Sequence, residues 1–122
     1  NETTGVIKVK TTNRESSEWN CLGALAWARY TGNAELIRQS FNVAGIVRNS
    51  DGNYTVTLSS DLEFASSNDF CVVATSSLYT TKVSSPTVSS NQASFTVQTF
   101  NSGGSETDSG FINIVVYGVT SN

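Results

Sequence analysis

Apolar and polar residues alternate over much of this chain. Tyr54-Thr55-Val56-Thr57-Leu58 and Phe95-Thr96-Val97-Gln98-Thr99 place every second side chain on one apolar face, the two-residue period of a strand with one buried side. Gly5-Val6-Ile7-Lys8-Val9-Lys10 ends in the same alternation. Residues 111–117 form a denser apolar run in which Asn113 is the one polar interior position, and residues 69–75 read as a buried strand. Residues 78–83 suit another, ended by Ser84-Ser85-Pro86. Between 35 and 47, Phe41, Val43 and Gly45-Ile46-Val47 predict extended chain with a bulge at Gly45. Residues 21–30 are two-sided. Their alanines favour helix, but no cap precedes them and Leu25, Trp27 and Arg29-Tyr30 suit a strand, which is the reading adopted.

Turn chemistry separates these segments. Val47-Arg48 and the strand at 54–58 flank Asn49-Ser50-Asp51-Gly52-Asn53, and Asp-Gly supplies the positive φ of a tight hairpin. Thr31-Gly32-Asn33 is a second turn. Polar stretches at 11–18 and 101–109 read as connections, and 61–64 as a loop with at most one helical turn. No internal repeat is present. About eight strands split by polar turns predict a single all-β domain over 1–122, an antiparallel β-sandwich of jelly-roll-like or barrel-like form. Trp27, Tyr54, Phe95, Phe111 and Tyr117 occupy alternating strand positions and are expected in its core. Trp19, in Glu18-Trp19-Asn20, and Tyr79, after Ser76-Ser77-Leu78, are expected to be partly exposed.

Composition sharpens this picture. Charged residues are 14% of the chain, against roughly 25% in average soluble domains. Ser, Thr and Asn fill the difference, as suits a strand-rich protein with neutral polar faces. Net charge is −3, and the seven basic residues are scattered, so the basic stripe that phosphates require is missing and no nucleic-acid partner is expected. No apolar run approaches the ~20 residues of a helical membrane span, and membrane insertion is not expected. The chain opens at Asn1 without an initiator Met, which suggests a piece cut from something longer.

Candidate chemistry is sparse. With no His, a Ser-His-Asp or Cys-His catalytic set is ruled out. No Walker loop is present, and Gly103-Gly104 alone makes no phosphate cradle. Asp61 and Glu63, with Asp51 or Asp69, or Glu106 with Asp108, would be the carboxylates for a Ca²⁺, but acidic loop residues are commonly just solvated. No metal site, cofactor or enzymatic activity is expected. Cys21 and Cys71 both lie in apolar stretches and read as buried thiols, a disulfide being the alternative.

The order of segments carries a resemblance. Ala26-Trp27-Ala28-Arg29-Tyr30-Thr31-Gly32 is followed by Arg38-Gln39-Ser40-Phe41-Asn42-Val43 and Ile46-Val47-Arg48-Asn49, then by Asp51-Gly52-Asn53-Tyr54-Thr55-Val56. Ser94-Phe95-Thr96-Val97 and Phe111-Ile112-Asn113-Ile114-Val115-Val116-Tyr117 close the pattern. Residues 24–118 resemble the C-terminal domain of bacteriophage tail-fibre and related virion fibre proteins. Asp51-Gly52-Asn53 stands where the pattern has a Gly-x-Gly turn. The resemblance implies a virion surface protein, a fibre-tip domain that binds a host cell-surface glycan or protein and other virion proteins. It further implies a homotrimer. Residues 1–23 lie outside the resemblance and are expected either to join an upstream shaft or to pack as an extra strand. The expected trimer seam uses Ala24, Ala26 and Ala28. The expected receptor walls are 31–33, 49–53 and 101–109, which with the two exposed aromatics give Trp19, Thr31, Asn33, Asp51, Asn53, Tyr79, Asn101 and Asp108. A capsid decoration or head-fibre protein, and a carbohydrate-binding adhesin module, are the alternatives.

Overall fold

The computed structural model describes the backbone of residues 8–9 and 19–20, and residues 23–33 and 37–121. Among these residues ten strands run in the order β1 (Lys8–Val9), β2 (Trp19–Asn20), β3 (Ala26–Thr31), β4 (Ile37–Phe41), β5 (Val43–Ser50), β6 (Asn53–Leu58), β7 (Phe70–Ser76), β8 (Thr80–Ser89), β9 (Gln92–Phe100) and β10 (Phe111–Gly118). A 3₁₀ turn, Ser67–Asp69, precedes β7. Among the described residues β1 and β2 pair with each other in a two-stranded sheet. The other eight form two antiparallel four-stranded sheets, in the orders β4-β3-β10-β7 and β5-β6-β9-β8. The fold is the antiparallel β-sandwich of about eight strands that the alternation predicts.

The core lies between the sheets and follows the two-residue period. β6 alternates with Tyr54, Val56 and Leu58 inward, and β9 with Ala93, Phe95, Val97 and Thr99 inward. Opposite them stand Ala26, Ala28 and Tyr30 of β3 and Ile112, Ile114 and Val116 of β10. Each fully buried large apolar side chain contributes roughly 1.5–3 kcal/mol. One end of the sandwich is closed by the 59–69 connection, whose Leu62 and Phe64 are buried and whose backbone ties to the 90–91 turn through Phe64 N–H to Asn91 O, 2.9 Å. The Phe64 ring sits 5.1 Å from Phe70, which packs in turn on Phe95.

Several expectations give way. Trp27 is 39% exposed and Tyr117 43% exposed, because both fall on the outward phase of their strands and nothing among the described residues covers that face. Phe111 is half-buried on the same face, with the Arg29 guanidinium 4.3 Å from its ring centre. β7 is an edge strand covered on one face only; Cys71, Val73 and Thr75 fall on its outward phase, and the Cys71 thiol is exposed and free. Cys21 lies outside the described residues. Ala26 and Ala28 are packed inside the sandwich and cannot form a trimer seam. The extended segment at 35–47 is two strands, broken at Asn42, whose φ of 59° turns the chain from one sheet to the other. The bulge at Gly45 is present as a register shift between Val43 and Gly45. β8 does not stop at Pro86. It runs on to Ser89 through a bulge between Ser84 and Thr87, with Ser85 at positive φ. An edge strand tolerates the missing N–H there.

Candidate functional site

The antiparallel order sorts the connections by end. β3 starts beside Val116 and ends beside Phe111, while β10 ends beside Phe70. The chain therefore enters β3 and leaves β10 at the end that Leu62 and Phe64 close. The opposite end gathers residues 32–33 and the 51–52, 77–79 and 101–110 connections. Three predicted receptor walls, 31–33, 49–53 and 101–109, meet there, joined by the 77–79 turn that carries Tyr79.

Hydrogen bonds hold these loops together. Gly32 N–H donates to Ser109 O at 3.1 Å, and a Cβ on Gly32 would lie 2.1 Å from that oxygen, so only glycine allows the approach. Gly52 sits at φ +67°, and a Cβ there would meet Thr107 N at 2.4 Å. Thr99 N–H donates to Gly52 O and Thr107 N–H to Thr99 O, both at 2.9 Å. The long loop is thereby laid across the tip of the β5–β6 hairpin.

Asp108 is the centre of this junction. Its carboxylate accepts from Gly52 N–H at 2.7 Å, Tyr54 Oη at 2.7 Å, Arg48 Nε at 3.1 Å and Arg48 Nη2 at 2.9 Å. Arg48 also pairs with Asp51. Burial raises the pKa of Asp108, but the bonds from Arg48, Gly52 and Tyr54 outweigh it and hold the carboxyl below its ordinary value. Tyr54 is pushed up, by burial first and then by donating to Asp108. Glu106 forms a second, shallower tie. It accepts from Gln98 Nε2 at 2.5 Å and Asn53 Nδ2 at 3.0 Å, and these bonds depress its pKa.

Of the predicted contact residues, then, Asp51, Asn53, Asn101 and Asp108 are occupied in building the loop end. Asn101 Oδ1 accepts from Gly103 N–H at 2.9 Å and Ser105 N–H at 3.1 Å, shaping the loop from within. Thr31 ends β3, and Asn33 is exposed beside it. Tyr79 is half-buried at the same end. Trp19 stands in β2 with its backbone paired to Val9, in a separate small sheet. The carboxylates considered for a cation are divided between the ends: Asp51 at the loop end, Asp61, Glu63 and Asp69 at the other. Among the described residues no cluster of three or more His, Cys, Asp or Glu could hold a metal.

Beside Tyr79 lies a feature that sequence reasoning missed. Leu78, Tyr79, Thr80, Phe100 and Ser102 line a cavity of about 290 Å³. Thr80 and Phe100 are register partners at the ends of β8 and β9. Phe100 was legible in part, since it continues the outward series Thr96, Gln98 and so places an aromatic on a polar face. Leu78 carried the same signal, an apolar residue inside Ser76-Ser77-Leu78-Tyr79, and is 73% exposed. A second cavity, of about 280 Å³, is lined by Asn68, Asp69, Phe70, Cys71, Tyr117 and Gly118 at the opposite end. Comparison with protein-family models, with curated proteins and with solved structures finds no match for this chain.

Proposed function

We propose that this domain is a virion structural protein, a fibre-tip domain that engages a receptor on the host surface through its loop end and does no catalysis. The observation that carries the reading is the division of the sandwich: chain entry and exit at one end, and four mutually bonded loops at the other. A domain joined to a shaft through its entry end presents those loops outward. The low charge of the surface suits weak polar contacts that gain strength from several copies. Immunogold labelling of virions with an antibody to this chain is the test. Label at the distal ends of tail fibres, with antibody blocking of adsorption, is the expected result. Label spread over the capsid would make the chain a decoration or head-fibre protein, and no label on virions would end the reading.

The proposed assembly is a homotrimer, with its contacts moved from the alanines of β3 to the outer face of the β4-β3-β10-β7 sheet. In register across that face stand Phe41, Trp27, Val115 and Val73. The next row holds Gln39, Arg29, Asn113 and Thr75. Four strands at about 4.8 Å spacing and seven residues of β10 at about 3.4 Å give this mixed face a footprint of roughly 400 Å², and apolar patches on such faces are often functional. Neighbouring copies of this chain are the occupant the face suits. Its central charge, Arg29, is already stacked on Phe111, so covering the face desolvates little charge.

A further inference from the structure

We infer that the groove between the 77–79 turn and the start of the 101–110 loop is a carbohydrate site, taking one neutral sugar ring by its apolar face. The inference rests on the loop end being the receptor-facing end, and it names the chemistry that end recognises.

The lining selects the ligand. Tyr79, Phe100 and Leu78 supply two aromatic rings and an aliphatic wall, while Thr80 and Ser102 supply hydroxyls. None of the five carries a charge. An anionic group such as a phosphate or carboxylate would find no counter-charge in the lining. A purely apolar ligand would cover the Thr80 and Ser102 hydroxyls without giving them partners, which is costly. A pyranose satisfies both demands, with a C–H face to lie on an aromatic ring and hydroxyls at its rim. The volume of about 290 Å³ is at the small end of ligand clefts, matching a single ring rather than a long chain. The cavity at the opposite end is less suited, since its lining includes the Asp69 carboxylate and the Cys71 thiol and it lies where the chain enters and leaves.

The groove is also held in shape before any ligand arrives. Ser76 Oγ accepts from Tyr79 N–H at 3.1 Å and donates to Tyr79 O at 2.5 Å, which fixes the turn. Ser77 Oγ accepts from Phe111 N–H and exchanges a hydrogen bond with Ser109 Oγ, both at 3.1 Å, which fixes the turn to the base of the long loop. On the facing wall, Asn101 N–H donates to Ser105 O and Gly104 N–H to Asn101 O, both at 2.9 Å. Walls that need no reordering lose little of the binding free energy to entropy. Leu78 is exposed without a packing role to explain it, and a ligand ring would cover it.

The test is a titration of the isotope-labelled 122-residue chain with methyl α-glucopyranoside, methyl β-galactopyranoside and N-acetylglucosamine, followed by amide NMR. N-acetylneuraminic acid and inorganic phosphate are the charged probes. At least one neutral sugar should saturably shift the amides of 78–80 and 100–102 with millimolar affinity, and the charged probes should not. Tyr79→Ala should weaken that binding by about tenfold or more, with the rest of the spectrum unchanged as proof of folding. Ser102→Ala, at an exposed loop position, should weaken it by a smaller factor. Absence of any neutral-sugar response, shifts that map elsewhere, a response to the charged probes alone, or full binding by both variants would each overturn the inference. Attachment of the labelled chain to host cells separates this from the broader reading. Attachment that survives Tyr79→Ala overturns the groove as the receptor site and leaves the fibre-tip function standing. Sugar binding without attachment supports the groove and removes the fibre-tip function.

Discussion

Tyr30 and Tyr54 are neighbours in the core, their rings 5.2 Å apart and edge to face, yet their hydroxyls have opposite fates. Tyr54 Oη donates to Asp108, while Tyr30 Oη is buried and has no hydrogen-bond partner among the described residues. Burial, together with the neighbouring Tyr54, raises the Tyr30 pKa far out of reach of ordinary solution. An unmet buried hydroxyl costs about 1–3 kcal/mol. Tyr30→Phe should therefore leave stability unchanged or raise it by about 1 kcal/mol, whereas Tyr54→Phe should lower it by about 1–3 kcal/mol. Urea denaturation midpoints of the two variants check this, and equal losses would refute it. Asp108 gives a second prediction at this scale. Its carboxyl titrates lower when folded than when unfolded, so its contribution is complete above the ordinary Asp value of about 3.9. That contribution is lost as the pH falls through the depressed folded value. Asp108→Asn should cost about 1–3 kcal/mol at neutral pH and flatten the acid limb of the stability profile. Some slope should remain, because Glu106 is depressed in the same direction.

At the scale of elements, the β5–β6 hairpin and the 101–110 loop act as one unit. Gly52 is needed twice, for its positive φ and for the space that Thr107 and Thr99 occupy. Gly52→Val should cost more than the roughly 1–2 kcal/mol of a left-handed residue alone, because the added side chain also displaces the loop. Thermal melting measures the loss, and amide shifts in 99–108 should report the displacement. An unaltered melting temperature would argue against the junction. The hairpin was legible because its signal is local: Asp-Gly between two alternating flanks. The loop lying across it was not, since nothing in 101–109 announces Arg48 and Tyr54 as partners of Asp108. Those contacts span 60 and 54 residues of chain.

For the whole molecule, the outer face of the β4-β3-β10-β7 sheet carries the assembly prediction. Light scattering of the proposed trimer should give about 39 kDa, three times the 13.0 kDa of one chain. Val73→Lys, at a site 54% exposed in the single chain, should shift the mass toward one copy without lowering the stability of that copy. A wild-type chain that stays at 13.0 kDa at high concentration would sink this assembly.

Much of the architecture was fixed locally. Alternation in 54–58 and 95–99 identified strands and the faces they bury, because a side chain's face follows from the two-residue period. Turn residues set where strands end, which is why Gly52 and Gly45 fall where the sequence puts them. Periodicity says which residues share a face, but only the pairing of sheets says which face is covered. Trp27, Tyr117 and Cys71 are apolar and strand-borne, yet they face outward because the second sheet packs on the opposite side of theirs. The same holds at the loop end. The sequence marked 31–33, 49–53 and 101–109 as turns and loops, and the antiparallel order brought them to one end. Folding then engaged Asp51, Asn53, Asn101 and Asp108 in bonds that hold the loops to one another, and left Tyr79 with Phe100 and Leu78 around a groove. Hydrogen-bond partners many residues apart, and the cavity between two turns, exist only once the sheets have packed.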